Sequence, residues 1–250
     1  MINILLHGCN GKMGQAVTNA VCQREDMTIV CGVDPFGSSA YDYPVYKSFD
    51  EVSEKVDAII DFSNPLLIEN LCKYADANLI PVVVCTTGLN DEQKNLVDAL
   101  SKKVAVFSSG NMSLGINLLI ELCKKATAVF GDAFDVEIVE KHHNLKLDAP
   151  SGTALMIADG ISKVRDDDPK YVYDRHAYRM KRSKSEIGIH SVRGGTIVGE
   201  HSVIFAGNDE VLTISHQAQS KALFATGALS AAAFVIGCEA GLYDMSDMLS

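Results

Sequence analysis

The first 34 residues constrain the fold of this chain most strongly, because they alternate between the patterns of a strand, a glycine-rich loop, a helix and a strand. The apolar residues 2–7 predict a β-strand, and residues 8–14 then supply three glycines before a helical stretch to about Arg24. Residues 28–33 predict a second strand, which ends at Asp34. A βαβ unit of this length is typical of one half of a nucleotide-binding sheet.

The glycine loop fits a dinucleotide, since glycines allow the backbone to approach a pyrophosphate and the following helix N-terminus stabilises its charge. Its spacing is Gly-x-x-Gly-x-x-Gly over Gly8, Gly11 and Gly14, and Cys9 stands where the commoner pattern has a glycine. Asp34 follows Gly14 by 20 residues, where a carboxylate can bind a ribose hydroxyl. The alternative is a glycine-rich turn without a ligand, but the flanking strand, helix and Asp34 favour dinucleotide binding.

The alternation of strands and helices continues to about residue 130. Strands are predicted at residues 57–62, 81–85 and 104–107, and helices at residues 66–78, 91–100 and 113–130. Apolar strands of this kind are covered on both faces, so we expect a parallel sheet. Small or polar residues follow each strand, and ligands bind at the carboxyl edge of such a sheet.

A second, smaller domain is predicted after residue 113. We expect an α/β chain: a Rossmann-type parallel-sheet domain of residues 1–113 plus 221–250, and an α+β domain of residues 114–220 with a mixed or antiparallel sheet. The later strands, expected to be antiparallel, are at residues 187–192, 201–206 and 211–216, with a hairpin over residues 207–210. The basic cluster of residues 179–184 is interpreted as a solvated loop, and residues 222–238 as a helix packed on the first sheet.

Residues 137–154 concentrate groups that can transfer protons or bind anions. A strand is predicted to end near His142 and His143, with Lys146 beyond it. Histidine titrates near neutrality and suits proton transfer, whereas lysine can donate a proton or bind an anion. A helix is predicted over residues 153–164 with Ser151 as its N-cap, and free N–H groups at its start favour a carboxylate. The alternative is a surface or core histidine pair, which the neighbouring lysine and helix start disfavour.

Two neighbouring features were weighed for other roles. No His-x-x-x-His or Cys/His spacing accompanies the histidines, so we predict no metal site. Arg193 lies in a glycine-containing loop, where it could contact an anion or cofactor or could equally cap a strand.

Bulk properties exclude several classes of partner. The formal charge of −10 disfavours nucleic acid. Seven scattered cysteines without a Cys-x-x-Cys pair predict free thiols in a reducing cytoplasm. Residues 222–238 lack charge but are slightly short for a membrane span, so we expect no membrane association. The chain is therefore expected to be cytoplasmic.

The chain resembles the 4-hydroxy-tetrahydrodipicolinate reductase (dihydrodipicolinate reductase) family over nearly its whole length. The most specific match is the segment of residues 140–154, Glu-Lys-His-His-Asn-Leu-Lys-Leu-Asp-Ala-Pro-Ser-Gly-Thr-Ala. Further matches are residues 8–14, 86–88, 111–113, 193–195, 199–201 and 241–245. The resemblance implies NAD(P)H-dependent reduction of a dicarboxylate in diaminopimelate–lysine biosynthesis. It also implies a dinucleotide-binding first domain and a second domain that binds substrate and assembles homotetramers.

The resemblance also implies roles for individual residues. His142 is the expected acid/base residue and Lys146 the proton donor, while His143, Gly152 and Thr153 are expected to bind the carboxylates. The cofactor is expected to contact Gly8, Cys9, Asn10, Gly11, Lys12, Met13, Asp34, Cys85, Thr86, Thr87, Ser109, Gly110, Asn111 and Met112.

Two departures from the family pattern bear on the cofactor. Cys85 replaces a glycine and could alter the backbone approach to the nicotinamide side. Pro35 stands where a basic residue often binds the 2′-phosphate of NADPH, and Asp34 would repel that phosphate. We therefore predict a preference for NADH, with NADPH possible through Lys12.

Two other functions remain open from the sequence. One is a different two-domain NAD(P) oxidoreductase acting on a sugar or semialdehyde, which the segment of residues 148–153 disfavours. The other is a dinucleotide-sensing regulator, which has no need of His142 and Lys146.

Overall fold

The computed structural model describes residues 1–37, 41–176 and 179–249. Residues 38–40 and 250 of the predicted first domain and residues 177 and 178 of the predicted second domain lie outside these ranges. The first half of the chain alternates strands and helices in the order β1 (Ile2–His7), α1 (Lys12–Val21), β2 (Met27–Val33), β3 (Val45–Tyr46), β4 (Ala58–Asp61), α2 (Ile68–Asn78), β5 (Val82–Val84), α3 (Asp91–Ser101) and β6 (Ala105–Ser108). Short 3₁₀ turns occur at Phe49–Glu51, Pro65–Leu67 and Gly131–Ala133.

The second half begins with a long helix and becomes rich in strands. Its elements are α4 (Leu114–Phe130), β7 (Asp135–His142), α5 (Gly152–Ser162), β8 (Lys170–Val172), β9 (Glu186–Arg193), β10 (Gly199–Ala206), β11 (Val211–Ala218), α6 (Ala222–Val235), β12 (Gly241–Tyr243) and α7 (Met245–Leu249). The described chain divides into two compact units, Met1–Ser113 with Lys221–Ser250, and Leu114–Ser220.

Seven described strands form the sheet of the first unit in the order β12-β6-β5-β4-β1-β2-β3. Every neighbouring pair is parallel, so the carboxyl ends of the strands lie at one edge. One face packs on α2 and α3, where Leu71 and Leu100 meet Ile59 and Val82 of the strands. The helix α6 packs on α1 and on β4, β5 and β6. The predicted Rossmann-type parallel sheet is confirmed, while the short strand β3 was not predicted.

Five described strands form the sheet of the second unit in the order β11-β10-β7-β9-β8. Side chains of β7, β9 and β10 pack with α4 and α5 around a core that includes Ile120, Ile138, Ile157, Ile189 and Val203. Burial alternates along β7, so every second residue faces this core. The mixed sheet predicted for this part of the chain is confirmed, and Gly207 donates to the carbonyl of Glu210 at the tip of the predicted hairpin.

One part of the strand prediction was wrong. The strand predicted at residues 187–192 is not antiparallel, because β9 runs parallel to both β7 and β8. The chain between β7 and β9 contains α5 and β8, and a crossover of this length lets a strand return in the parallel direction. The strand β8 was not predicted because only three residues of a polar segment form it.

Candidate active site

The glycine loop after β1 is shaped by close contacts that no side chain could tolerate. Gly8 has φ of +77°, and a Cβ atom there would lie 2.7 Å from the carbonyl oxygen of Phe62. A Cβ atom on Gly14 would lie 2.4 Å from the carbonyl oxygens of Gly8 and Cys9. Gly11 precedes the ten-residue helix α1, and no side chain caps that helix. The loop therefore offers bare backbone at a helix N-terminus, which fits a dinucleotide pyrophosphate.

The carboxylate of Asp34 fastens this loop to the end of β2. It accepts hydrogen bonds from the backbone N–H groups of Asn10 and Phe36, each at 3.1 Å. The side-chain amide of Asn10 donates to the carbonyl of Gly37 at 2.9 Å. Asp34 is nearly fully buried, so its negative charge is fixed beside the loop.

A cavity of about 420 Å³ lies at this edge of the sheet. Among the predicted cofactor residues, Gly8, Asn10, Gly11 and Asp34 line it. Cys9, Lys12 and Met13 are absent from the described lining. The side chain of Cys9 is buried towards β2, and its burial, followed by the charge of Asp34, raises the pKa of its thiol to about 12.

The cavity also involves a segment that the sequence reasoning did not assign to the cofactor. Phe62, Ser63 and Asn64 follow β4 and line the cavity opposite the glycine loop. The carboxylate of Asp61 holds this segment through hydrogen bonds from the N–H and hydroxyl of Ser63, at 3.2 and 2.6 Å. The polar residues at the end of an apolar strand were the signal that could have identified it.

The remaining predicted cofactor residues follow β5 and β6, the next strands along the same edge. The Cys85 side chain is buried, and the hydroxyl of Thr86 is a buried group without a hydrogen-bond partner in the described chain; Thr87 is exposed. After β6, the Ser109 hydroxyl donates to the carbonyl of Asn111 at 3.0 Å. Gly110 is exposed and Met112 buried, so this loop presents mainly its backbone.

His142 lies at the end of β7 on its buried face, two residues after the fully buried Glu140. The two side chains lie on the same face because successive residues of a strand point to opposite faces of the sheet. Nδ1 of His142 lies 2.6 Å from Oε2 of Glu140. Burial would raise the pKa of Glu140, but hydrogen bonds from Arg193, Ser191, His142 and the Ser151 backbone outweigh it and lower that pKa to about 2.

Arg193, whose role the sequence left open, is the main partner of Glu140. Its two terminal nitrogens contact the two carboxylate oxygens at 2.8 and 2.7 Å. One of them also donates to the carbonyl of Asp148 at 2.6 Å. Arg193 faces His142 in the register of β7 and β9. The alternative of a strand cap therefore gives way to a direct contact with the candidate active site.

The start of α5 is organised by Ser151, as predicted. Its hydroxyl accepts a hydrogen bond from the N–H of Ala154 at 3.2 Å and lies 3.1 Å from Nε2 of His201. Burial lowers the pKa of His201 to about 4, and the nearby charges of His142 and Lys146 also lower it. The rings of His142 and His201 lie 5.3 Å apart, so the cap of α5 adjoins one of the two predicted proton-transfer residues. Neither His201 nor Glu140 was assigned from the sequence.

The loop between β7 and α5 carries the remaining predicted residues. The amine of Lys146 lies 2.8 Å from the Asp148 carboxylate. Lys146 lowers the pKa of Asp148, and the backbone of Gly152 contributes a hydrogen bond in the same direction. Nδ1 of His143 is buried and has no hydrogen-bond partner in the described chain. Gly152 and Thr153 are the first residues of α5.

Three further observations concern metals, membranes and cysteines. Across the described residues, no group of three or more His, Cys, Asp or Glu side chains could hold a metal ion. No described helix has the length and apolar character needed to cross a membrane. All seven cysteines are free thiols.

A parallel sheet with a glycine loop, together with a second unit that carries a buried Glu-His pair, fits the class of nicotinamide-dependent, two-domain oxidoreductases. The chain belongs to the dihydrodipicolinate reductase family. A family model for the N-terminus of dihydrodipicolinate reductase matches residues 2–112, and a model for its C-terminus matches residues 115–249. This membership disfavours the sugar or semialdehyde oxidoreductase and the dinucleotide-sensing regulator.

Individual relatives agree with the family models. The chain is 53% identical over 249 residues to 4-hydroxy-tetrahydrodipicolinate reductase of Caldanaerobacter subterraneus subsp. tengcongensis, covering 100% of this chain and 98% of the relative. It is 45% identical over 250 residues to the enzyme of that name from Clostridium tetani, with the same coverage. A dipicolinate-bound dihydrodipicolinate reductase from Paenisporosarcina sp. TG-14 has a TM-score of 0.83 at 27% identity, covering 98% and 97% of the two chains.

Proposed function

We propose that this chain reduces 4-hydroxy-tetrahydrodipicolinate to tetrahydrodipicolinate with a nicotinamide cofactor, a step of diaminopimelate–lysine biosynthesis in which the 4-hydroxyl group leaves as water and a hydride and a proton add to the resulting C=C bond. The observation that carries the proposal is the pairing of His142 with the buried Glu140 at 2.6 Å, on a strand that leads directly to the capped N-terminus of α5. This arrangement combines a proton-transfer group with an anion-binding helix start in one loop. The family membership of the chain supports the same reaction.

His143, Gly152 and Thr153 are proposed to bind the substrate carboxylates. The buried Nδ1 of His143 is available for an acceptor, since no described group bonds to it. The N-terminus of an 11-residue helix favours a negative charge, and the Asp148 carboxylate already interacts with the backbone of Gly152. A substrate carboxylate would take the place of Asp148. The Paenisporosarcina relative binds dipicolinate, itself a dicarboxylate.

The first unit is proposed to bind the cofactor through the loops that follow β1, β2, β5 and β6. A nicotinamide dinucleotide, when bound, supplies the hydride. The backbone of Gly8 and Gly11 would contact its pyrophosphate, and Asp34 a ribose hydroxyl. The fixed charge of Asp34 supports a preference for NADH over NADPH, because it would repel a 2′-phosphate.

His142 and Lys146 are proposed to supply the proton that completes the reduction. The Glu140 carboxylate only accepts hydrogen bonds, so its contact assigns the proton of a neutral His142 ring to Nδ1 and leaves Nε2 for proton exchange. Lys146 is only partly exposed, and its amine is paired with the Asp148 carboxylate. A substrate carboxylate that displaced Asp148 would then pair with the Lys146 ammonium group.

Two broader properties belong to the same proposal. Five buried free cysteines suit a reducing compartment, which supports a cytoplasmic location. Exposed Leu118, Leu122 and Val129 on α4 support assembly, and we propose a homotetramer. Light scattering after size-exclusion chromatography tests this state, and a monomer at micromolar concentration would contradict it.

The reaction can be tested with substrate generated in solution. The preceding synthase, supplied with pyruvate and aspartate semialdehyde, forms the substrate while NADH absorbance is recorded. We expect absorbance to fall only when both the synthase and this protein are present. Omitting either aspartate semialdehyde or the synthase provides the control. A rate of NADH loss that does not depend on the synthase would reject the reductase function.

A further inference from the structure

We propose that Glu140 and Arg193 are positioning residues that fix the orientation and tautomer of His142, so that its Nε2 is the atom that exchanges the proton. This inference rests on the proposed function, in which His142 transfers a proton. It adds two side chains that do not themselves touch the reacting atoms. Both lie with His142 in the second unit, on the neighbouring parallel strands β7 and β9.

The carboxylate of Glu140 is held by contacts that leave it little freedom. One oxygen, Oε2, contacts both Nδ1 of His142 at 2.6 Å and a terminal nitrogen of Arg193 at 2.8 Å. The other oxygen, Oε1, accepts from Arg193 at 2.7 Å and from the N–H of Ser151 at 3.1 Å. Glu140 is fully buried, and a buried carboxylate persists as an anion only when it is paired and hydrogen-bonded.

Arg193 provides the positive charge that pairs with Glu140, and it also fixes the orientation of the Glu140 carboxylate. A guanidinium presents its N–H groups in a rigid fork that matches both oxygens of a carboxylate, whereas an ammonium group makes only a point contact. The same side chain donates to the carbonyls of Val192 and Asp148, at 2.8 and 2.6 Å. It therefore connects the end of β9, the Glu140 carboxylate and the loop that carries Lys146.

A glycine lies beside the other nitrogen of the His142 ring, where a side chain would crowd it. A Cβ atom on Gly199 would lie 3.1 Å from Nε2 and 3.4 Å from Cδ2 of His142. With Nδ1 directed at Glu140, Nε2 is the ring nitrogen left to face a substrate. When a carboxylate contacts one ring nitrogen of a neutral histidine, that nitrogen carries the proton and donates it in a hydrogen bond. The other ring nitrogen is then the proton acceptor, as in other acid–base sites.

If Glu140 and Arg193 only stabilised the fold, removing a similar ionic contact elsewhere on β7 would lower activity to a comparable extent. The chain offers such a contact as a matched control. Glu137, three residues earlier on β7, also pairs with an arginine and a histidine: Arg182 at 2.9 Å and His190 at 2.8 Å. None of these three belongs to the proposed active site. Replacing Glu137 by Gln therefore removes a similar ionic contact from the same strand without altering the environment of His142.

The kinetic test compares Glu140→Gln with Glu137→Gln in the synthase-coupled assay. We expect Glu140→Gln to lower kcat by about 100-fold, in the range typical of lost acid–base catalysis, with the KM of the dicarboxylate changed less than about twofold. Glu137→Gln is expected to retain kcat within about twofold. Arg193→Lys, which keeps the cation but loses the fork, is expected to lose less activity than Arg193→Met. Equal losses in the two glutamate variants would contradict a positioning role.

The spectroscopic test requires no substrate. Protein labelled with ¹⁵N-histidine reports which ring nitrogens carry protons, and the signals of His142 are identified by their loss in His142→Asn. The double variant Glu140→Leu, Arg193→Met removes both charges at similar volume, which leaves no unpaired buried ion and protects the fold. We expect neutral His142 to carry its proton on Nδ1 in the native protein and to shift to Nε2 in the double variant.

The results separate this inference from the proposed function. An unchanged His142 tautomer in the folded double variant overturns the inference, and so does a changed tautomer with native kcat. If the native protein has no reductase activity, the proposed function fails, while the ¹⁵N spectra still decide whether Glu140 and Arg193 control the His142 ring.

Discussion

The N–H of Asn10 donates to the Asp34 carboxylate across 3.1 Å, so the acidic residue after β2 holds the glycine loop that follows β1. Asp34 thus has a structural contact in addition to its proposed contact with a ribose. The same carboxylate accepts from the N–H of Phe36, which fixes the turn beyond it. The position of the Asp34 charge beside the proposed adenosine site is therefore fixed by two backbone N–H groups, one before and one after Asp34 in the chain.

Neutralising Asp34 is expected to weaken the preference for NADH. Asp34→Asn keeps an oxygen acceptor for one N–H group but removes the charge that would repel a 2′-phosphate. We expect the ratio of kcat/KM for NADPH to that for NADH to rise about tenfold, equivalent to about 1.4 kcal/mol. Steady-state kinetics with each cofactor measures the ratio.

Asp98→Asn provides the control, because it removes one exposed carboxylate of α3 from the same unit. This variant should keep the native ratio. Native protein that favours NADPH, or an Asp34→Asn variant with an unchanged ratio, would contradict the role given to Asp34.

Removing either proton-transfer side chain is expected to lower turnover without preventing cofactor binding. His142→Ala and Lys146→Ala should each lower kcat by about 100-fold or more, the usual contribution of a positioned acid or base. NADH binding, followed by fluorescence titration, should remain within about threefold of native, since the proposed cofactor-binding residues lie in the other unit.

His190→Ala and Lys141→Ala are the matched controls, since these side chains pair with Glu137 and Glu200. Both should turn over at near-native rates. If His142→Ala and Lys146→Ala also retain native kcat, neither residue has the proposed role.

Two of the side-chain helix caps offer a comparison between stability and substrate binding. Ser151 caps α5 and Asn90 caps α3, where a full capping box with Gln93 is present. Ser151→Ala and Asn90→Ala should each lower the free energy of unfolding by about 1 kcal/mol. Only Ser151→Ala is expected to raise the KM of the dicarboxylate, because only α5 is proposed to bind it. Urea denaturation and coupled kinetics provide the measurements, and an equal KM in the two variants would argue against an anion site at α5.

Acidification is expected to destabilise the second unit through His201. Burial lowers its pKa in the folded state to about 4 from the ordinary 6.5, so the unfolded state binds the proton more readily. The stability associated with neutral His201 is therefore present above pH 6.5 and is lost as the pH falls from about 6.5 towards 4. Glu140, with its lowered pKa of about 2, adds a further loss below its ordinary value of 4.5.

The variant His201→Gln isolates the first of these effects. Its free energy of unfolding should fall less steeply than that of native protein between pH 6.5 and 4.5. His176→Gln serves as the control and should keep the native slope, because it replaces an exposed histidine. Parallel curves for native protein and His201→Gln would reject the contribution of His201.

Local patterns in the sequence predict most of the fold. The strand β1 was predicted with its observed limits, and α3 and α4 to within one residue, because each is bounded by clear glycine or polar signals. The direction of β9 could not be predicted in the same way. The alternation of apolar and polar residues within a strand does not show whether its neighbours run parallel or antiparallel to it. That direction depends on the crossover through α5, which is a property of the tertiary structure.

The same distinction applies to the candidate site. The predictions for Gly8, His142 and Ser151 depend on patterns of residues that are close in sequence. Arg193 and Glu140 are 53 residues apart and meet only through the pairing of β7 with β9. Ser63 and Asn64 likewise line the cavity beside the glycine loop because β4 lies beside β1 in the sheet. The spacing of these residues along the sequence does not predict that they are in contact.

Hydride transfer itself is the most direct test of the central claim. NADH carrying deuterium on the transferred position of the nicotinamide ring is incubated with this protein and with substrate formed by the synthase, and the dicarboxylate product is analysed by mass spectrometry. The proposed reduction predicts a product that is one mass unit heavier than that formed with unlabelled NADH, in amounts equal to the NADH consumed. A product of unchanged mass, or NADH loss without a reduced dicarboxylate, would contradict it.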